Sequence, residues 1–309
     1  MKKINNTAAV FLQLGLDDKC DINKYNPLAA DAINSFKKFH PDCDVFFIDN
    51  NNFEEYCELF RTKNEIELYQ NVGILKFILS YYIMDFYGYD KIISMGIDTI
   101  TCNRLDEFLN KNTDILATLN YPCQESTEYW TTPYIKYIHD GKEYFDHGNI
   151  NADIVCFNNA KAIKALIDLS INRPTDFLEQ GALNDMAWIT KTHPVEIVDF
   201  PYPTSKIVYN ARSKGVFGTN MIKNGKLNKC GPNYDGMLSP IWYWYVKDNE
   251  LYTSDHKKIK SFHYVEGLGG RPLKEFYEVL EDFKSWFNPE TIKYFKEQCN
   301  CTLFDKKLT

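Results

Sequence analysis

The sequence predicts an α/β fold, with a mostly parallel central sheet and helices on both faces. Two observations carry this. In the first hundred residues, short apolar runs bounded by turn-prone residues alternate with stretches whose apolar residues recur at helical spacing, the order expected of a doubly wound sheet. The chain also has 309 residues, 44% of them hydrophobic and 25% charged, enough to bury a large core.

The elements follow in order. Ala8 to Leu14 (AAVFLQL) ends at Gly15 and reads as a buried first strand. Pro27 to Phe39 places Leu28, Ala29, Ile33 and Phe36 at helical spacing. Asp44 to Asp49 (DVFFID) is a second strand closed by Asn50, Asn51 and Asn52. Val72 to Phe86 reads as a helix broken at Gly88 to Asp90, and Lys91 to Met95 (KIISM) as a third strand. Further on, Ile154 to Phe157 and Val195 to Val198 read as strands, and Ala160 to Ser170 and Phe177 to Thr190 as helices. From Pro201 the chain is rich in Pro, Gly, Asn and aromatics, with short strands such as Ile241 to Val246. Lys274 to Phe287 and Pro289 to Gln298 are closing helices. No repeat, low-complexity tract or linker interrupts the chain, so residues 1–309 are expected to form one domain.

The formal net charge of −7 argues against a main task of binding nucleic acid by phosphate neutralisation. The opening segment MKKINNTAAV is followed by too short an apolar run for a secretory signal, and no apolar run reaches the roughly 18–20 residues of a membrane span. The nine cysteines are odd in number and scattered, which fits reduced thiols and a cytoplasmic, soluble or peripheral protein. Phe283, Trp286, Phe287, Tyr294 and Phe295 near the end are expected to pack on the core rather than on a membrane.

In sheets of this class ligands bind at the carboxyl ends of the strands. The third strand ends at Met95 and runs into Gly96-Ile97-Asp98-Thr99, which puts a carboxylate where it can hold a divalent cation against a diphosphate. The stretch Tyr89-Asp90-Lys91 through Asp98-Thr99 to Leu105-Asp106-Glu107-Phe108 resembles glycosyltransferase family 8. That family's pattern is an apolar strand, D-x-D-T, and a downstream LDELF-like segment. The second aspartate falls on Asp98, and the first on Gly96, which has no side chain.

Three further segments resemble the family in its own order. In the first, Asn151 matches an asparagine that touches the donor or acceptor sugar, and Asp153 replaces the usual glycine. In the second, Phe177 to Asn184 resembles the D-Q-D/G-x-L-N segment, which sets Glu179 and Gln180 against the sugar. In the third, Ile259 to Gly267, continuing to Arg271, resembles I-x-H-[FY]-x-G-x-x-K-P-W. His263 then matches the third metal ligand and Arg271 the diphosphate-binding lysine. The matches span residues 89 to 273.

The resemblance implies a GT-A type, Rossmann-like fold with a smaller acceptor-side region after about residue 156. It implies a retaining glycosyltransferase with a nucleotide-diphosphate sugar donor, by family habit a UDP-sugar, and a glycan, lipid-linked glycan or protein acceptor. Asp98 and His263 would hold Mn²⁺ or Mg²⁺ with Arg271 on the phosphates, while Asn151, Glu179 and Gln180 would bind sugar hydroxyls. Lys76 resembles a basic residue that reaches the diphosphate, though on an apolar helix it reads equally as a snorkelling surface lysine. Gly267, with Gly269 and Gly270, gives the loop that lets Arg271 approach.

Gly96 leaves three outcomes open. Donor phosphates and water complete the cation shell, another acid such as Asp153 compensates, or metal and activity are lost. Two other functions are carried alongside. A sugar-phosphate nucleotidyltransferase is disfavoured because Leu14 to Asp18 is acidic where that class carries glycine, Arg and Lys. A non-catalytic nucleotide-sugar or glycan-binding protein is kept open by Gly96. Asp17 and Asp18 read as solvated loop charge, His139, His147 and His193 as structural, and Arg212 as a loop cation on the acceptor side.

Overall fold

A computed structural model describes residues 6–14, 26–60, 72–119, 134–139, 142–147, 150–172, 178–199, 205–209, 211–212, 222–223, 226–227, 244–253, 256–263, 289–302 and 305. Strands β1 (Thr7–Gln13), β2 (Asp44–Asp49), β3 (Lys91–Met95), β5 (Ile115–Leu119), β8 (Ile150–Phe157) and β9 (Val195–Ile197) form a six-stranded sheet in the order β2-β1-β3-β8-β5-β9. Its pairings are parallel except the two made by β8. The fold is therefore mixed α/β around a mostly parallel sheet.

The period of two along β1 divides its side chains between two cores. Ala8, Val10 and Leu12 join one, while Ala9 and Phe11 join the other. On the first face lie α2 (Phe53–Phe60), α3 (Val72–Tyr87), α5 (Ala160–Asn172) and α6 (Leu178–Asp185). On the opposite face, Ala32 and Phe36 of α1 (Asn26–Phe39) meet Phe108 of the short α4 (Asp106–Asn110). α3 is apolar almost all round, as expected of a helix buried between the sheet and α5.

β2 and β3 stand with their predicted ends, and the other described predictions stand with shifted ends or a local change of form. β8 begins at Ile150, four residues before the predicted start. The helix read as 177–190 is α6 followed by a π-helical turn, Met186–Thr190. α2 was not predicted, although Phe53, Tyr56, Cys57 and Phe60 fall at helical spacing. The strand predicted from Ile241 is described over β14 (Trp244–Lys247), and the predicted helix 274–287 lies outside the described residues.

After β3 the chain leaves the main sheet. β4 (Thr99–Thr101) pairs antiparallel with β17 (Ser261–His263), which pairs in parallel with β11 (Ala211–Arg212). Lys260, just before β17, donates to the Arg104 carbonyl (2.7 Å) and pairs with Glu107 (3.3 Å), which also accepts the Tyr209 hydroxyl. Helix α7 (Pro289–Cys299) closes over this region, with the Phe295 ring 5.3 Å from Phe262 and the Tyr294 hydroxyl donating to the Cys102 carbonyl (2.6 Å). Tyr294 and Phe295 are buried, whereas Phe283, Trp286 and Phe287 lie outside the described residues. No helix among the described residues is long and apolar enough to cross a membrane.

Candidate functional site

The turn between β3 and β4 joins two sheets and carries Asp98. It is held at both ends. The Gly96 N–H donates to the Asp153 carbonyl (2.7 Å), and the Thr99 hydroxyl donates to the Gly96 carbonyl (2.6 Å). The register of β17 on β4 sets His263 opposite Thr99. This brings His263 Nε2 to 3.1 Å from Asp98 Oδ2, across 165 residues of sequence, and 3.3 Å from Asp153 Oδ2. The ligand atoms of Asp98, Asp153 and His263 all lie within 4.8 Å of one another. The His263 side chain is only 5% exposed, while the two aspartates are 27% and 33% exposed and open towards solvent.

Asp153 sits on a bulge. Between Ala117 and Thr118 of β5 the partner strand advances from Val155 to Asn151, so Ala152 to Ile154 are extra on β8. A bulge leaves backbone groups without ladder partners and re-aims side chains. Here the backbone groups of the bulge are met individually. The Ala152 N–H donates to Gln180 Oε1 (3.2 Å) and the Ala152 carbonyl accepts from Lys76 Nζ (3.0 Å). The Asp153 N–H donates to Asn151 Oδ1 (2.8 Å), and its carbonyl takes the Gly96 N–H. Asn184 adds a brace from α6, exchanging bonds with both backbone groups of Ile150.

Three predicted donor- and sugar-side residues, Lys76, Asn151 and Gln180, thus hold the segment that presents Asp153. Lys76 is 7% exposed, so the surface-lysine alternative is corrected: its ammonium is buried against a backbone carbonyl. Asn151 is buried as well.

A pocket of about 210 Å³ opens at this point, lined by Lys76, Gly96, Asp98, Asp153 and Glu179, with Leu12, Leu28 and Ile97 as apolar wall. Glu179 enters it across the first turn of α3, where Gly73 makes room. A β-carbon at residue 73 would overlap the Glu179 carboxyl. Burial pushes the Glu179 carboxyl up from its ordinary range, the Lys76 ammonium opposes that, and the Asp153 charge adds to it. Two hard carboxylates and one imidazole suit a Mn²⁺- or Mg²⁺-like ion held by oxygen ligands.

Asp98, His263, Glu179, Lys76 and Gly96 are therefore brought together. Gly267 and Arg271, like Asp17 and Asp18, lie outside the described residues. Arg212 pairs in register with His263 through β11. His193 Nδ1 lies 2.8 Å from Asp114 Oδ2 at the far edge of the sheet, consistent with a structural role, and His139 and His147 lie on the paired strands β6 (Tyr134–His139) and β7 (Lys142–His147). Gly73 was not singled out in the sequence. Its only signal is a glycine in the first turn of an apolar helix. A larger groove, about 330 Å³, lies between α7 and the hairpin of β14 with β15 (Glu250–Thr253) and carries none of these residues.

No family model matches the chain, and no curated protein sequence matches it. Among solved structures it is similar to the WbbM bifunctional glycosyltransferase in its apo form, at 14% identity and a TM-score of 0.48, covering 96% of this chain and 52% of that one. It is similar to the galactosyltransferase LgtC in complex with donor and acceptor sugar analogs, at 15% identity and a TM-score of 0.43, covering 93% and 99%. It is also similar to the apo glycosyltransferase GlyE of Streptococcus pneumoniae TIGR4, at 15% identity and a TM-score of 0.36, covering 61% and 44%. The chain spans about half the length of the WbbM chain. Likenesses this distant say nothing of chemistry, which is read from the side chains themselves.

Proposed function

We propose that this chain is a retaining, metal-assisted glycosyltransferase, one GT-A type unit that moves a sugar from a nucleoside-diphosphate donor, by preference a UDP-sugar, to a glycan, lipid-linked glycan or protein. The observation that carries the reading is the meeting of Asp98 and His263 at the end of β3, 3.1 Å apart, beside a pocket that also receives Lys76 and Glu179. These residues come from four separate segments, each on or beside a stretch that resembles glycosyltransferase family 8.

In the reaction the bond from the anomeric carbon to the phosphate oxygen breaks and the diphosphate leaves with the electron pair. The acceptor oxygen bonds to the same carbon, and its proton passes to the departing diphosphate oxygen. Asp98 and His263 would hold a cation, which would supply positive charge against the leaving diphosphate. Lys76 fixes a positive charge 3.0 Å from the Ala152 carbonyl, close to that wall, and Arg271 is assigned to the phosphates. Glu179, which lines the same pocket, is assigned to the sugar, where its carboxyl, pushed up by burial, can accept from a hydroxyl. Asn151 and Gln180, which the resemblance assigns to the sugar side, act here on the bulge, their amide oxygens taking the Asp153 and Ala152 N–H groups beside the pocket.

Titration calorimetry of UDP and several UDP-sugars, with Mn²⁺ and again with EDTA, tests this reading. UDP binds in Mn²⁺, binding falls at least about tenfold in EDTA, and Asp98→Ala loses the metal-dependent part. Absence of UDP binding under either condition overturns the UDP-sugar assignment.

A further inference from the structure

We propose that Asp153 is the second carboxylate of the cation site, supplied from β8 to the space that residue 96 leaves empty. This rests on the metal-assisted reading above and deepens it. In the family pattern the chain resembles, a carboxylate stands at position 96 and glycine at position 153. Here the two residue types have changed places, and the structure shows these positions touching. The Gly96 N–H donates to the Asp153 carbonyl at 2.7 Å, and the neighbouring residues Met95 and Ile154 are paired across β3 and β8.

The space at position 96 is already taken. A β-carbon built on Gly96 would lie 2.8 Å from Asp98 Oδ1 and 3.4 Å from both the β-carbon and Oδ1 of Asp153. Asp98 therefore crowds the place a side chain at 96 would start from, Asp153 lies against it at van der Waals distance, and the Asp153 Oδ2 stands 3.3 Å from the buried His263 Nε2. With Asp98 Oδ2 at 3.1 Å, two carboxylate oxygens share this one imidazole nitrogen. Two oxygens and one nitrogen lie within 4.8 Å of one another, a donor set that Mn²⁺ accepts, with donor phosphates and water left to complete the shell.

The bulge supplies the reason for this arrangement. Three side chains, Asn151, Gln180 and Lys76, are spent on satisfying its backbone, and its product is the aim of Asp153. A salt bridge alone would be the other use of Asp153. That use predicts lost stability without a lost cation.

Mn²⁺ titration, read by the electron paramagnetic resonance of the free ion and run with and without UDP, separates them. It compares wild type, Asp98→Ala, Asp153→Asn, Gly96→Asp, and the reciprocal Gly96→Asp/Asp153→Gly. Circular dichroism confirms folding, and Asp153→Gly replaces Asp153→Asn if the latter misfolds. Asp153→Asn is expected to weaken Mn²⁺ binding by about tenfold or more with a folded protein. Gly96→Asp alone should give no gain, because the added side chain meets Asp98 and Asp153, whereas the reciprocal variant should regain most of the affinity. Wild-type affinity in Asp153→Asn alongside loss in Asp98→Ala overturns the assignment of Asp153 and leaves the metal-assisted reading standing. Wild type that binds no Mn²⁺ in either condition overturns both.

Discussion

His40 shows how much a single buried group decides. It follows α1, is 2% exposed, and its Nε2 accepts the Leu105 N–H at 3.1 Å, which fixes the neutral ring with its proton on Nδ1. Burial, helped by the nearby Arg104 charge, lowers its pKa from 6.5 to about 4. The sign follows from that depression. Above about pH 6.5 the ring is neutral folded or unfolded, and stability is intact. As pH falls towards 4 the unfolded chain takes the proton first, so stability declines by about 3 kcal/mol in total. Urea melts at pH 7, 5.5 and 4 should show this slope in wild type and a shallower one in His40→Gln, whose amide oxygen can still accept the Leu105 N–H. An equal slope in both removes His40 as the cause. At the same scale, Asp98 was legible in the sequence because a strand-end carboxylate in this fold class has a predictable place. Asp153 was visible only as a departure from a pattern, since its partner at Gly96 is set by strand register and register is a property of two strands at once.

Elements were read best where one face of one segment decided the outcome. β3 was predicted residue for residue because KIISM is a short apolar run between turn-formers, and α1 because its apolar residues fall on one helical face. β8 was shortened because Asn151 and Asp153 interrupt its apolar run. The bulge and its side-chain partners make those polar residues compatible with a strand. Helix α3 offers a test of how an element's packing serves the site. Gly73, in its first turn, leaves the space that the Glu179 carboxyl occupies, where the amino end of a helix also favours negative charge. In Gly73→Ala the β-carbon displaces the carboxyl. The helix is compatible with alanine and gains up to about 1 kcal/mol of propensity, less this close to its end. The expected result is a melting temperature equal to wild type or slightly higher, together with UDP-sugar affinity reduced by roughly tenfold and Mn²⁺ affinity retained. A parallel fall in melting temperature would show that Glu179 is held there for stability instead. The same logic explains Leu105 to Phe108, the stretch resembling LDELF. Leu105 and Phe108 are fully buried, and Glu107 receives Tyr209 and Lys260, so this segment ties the second sheet to the first.

On the scale of the whole molecule, the candidate site is a junction. Asp98 leaves the six-stranded sheet on the β3–β4 turn, Asp153 rises from the antiparallel strand of that sheet, and His263 arrives on β17 of a separate three-stranded sheet. No local stretch contains the site, which is why the sequence yielded its members one by one while their mutual distances waited for the fold. The arrangement has a mechanical consequence. A cation bridging residues 98, 153 and 263 fastens the β4–β17 pair to the β3–β8 pair, so its binding energy opposes any opening that separates the two sheets. Hydrogen exchange with and without Mn²⁺ and UDP measures this directly. At a ligand concentration about one hundredfold above Kd, the opening that separates the sheets becomes harder by about 2.7 kcal/mol, or roughly a hundredfold slower exchange. The added protection should concentrate in residues 99–101 and 261–263, the paired strands that the cation fastens to the main sheet. The amides of β1, shielded between β2 and β3, should change only as far as global unfolding does. Protection gained in β1 and β17 alike would mean that the cation stabilises the chain as one body. No gain in β17, with Mn²⁺ bound, would place the ion away from His263.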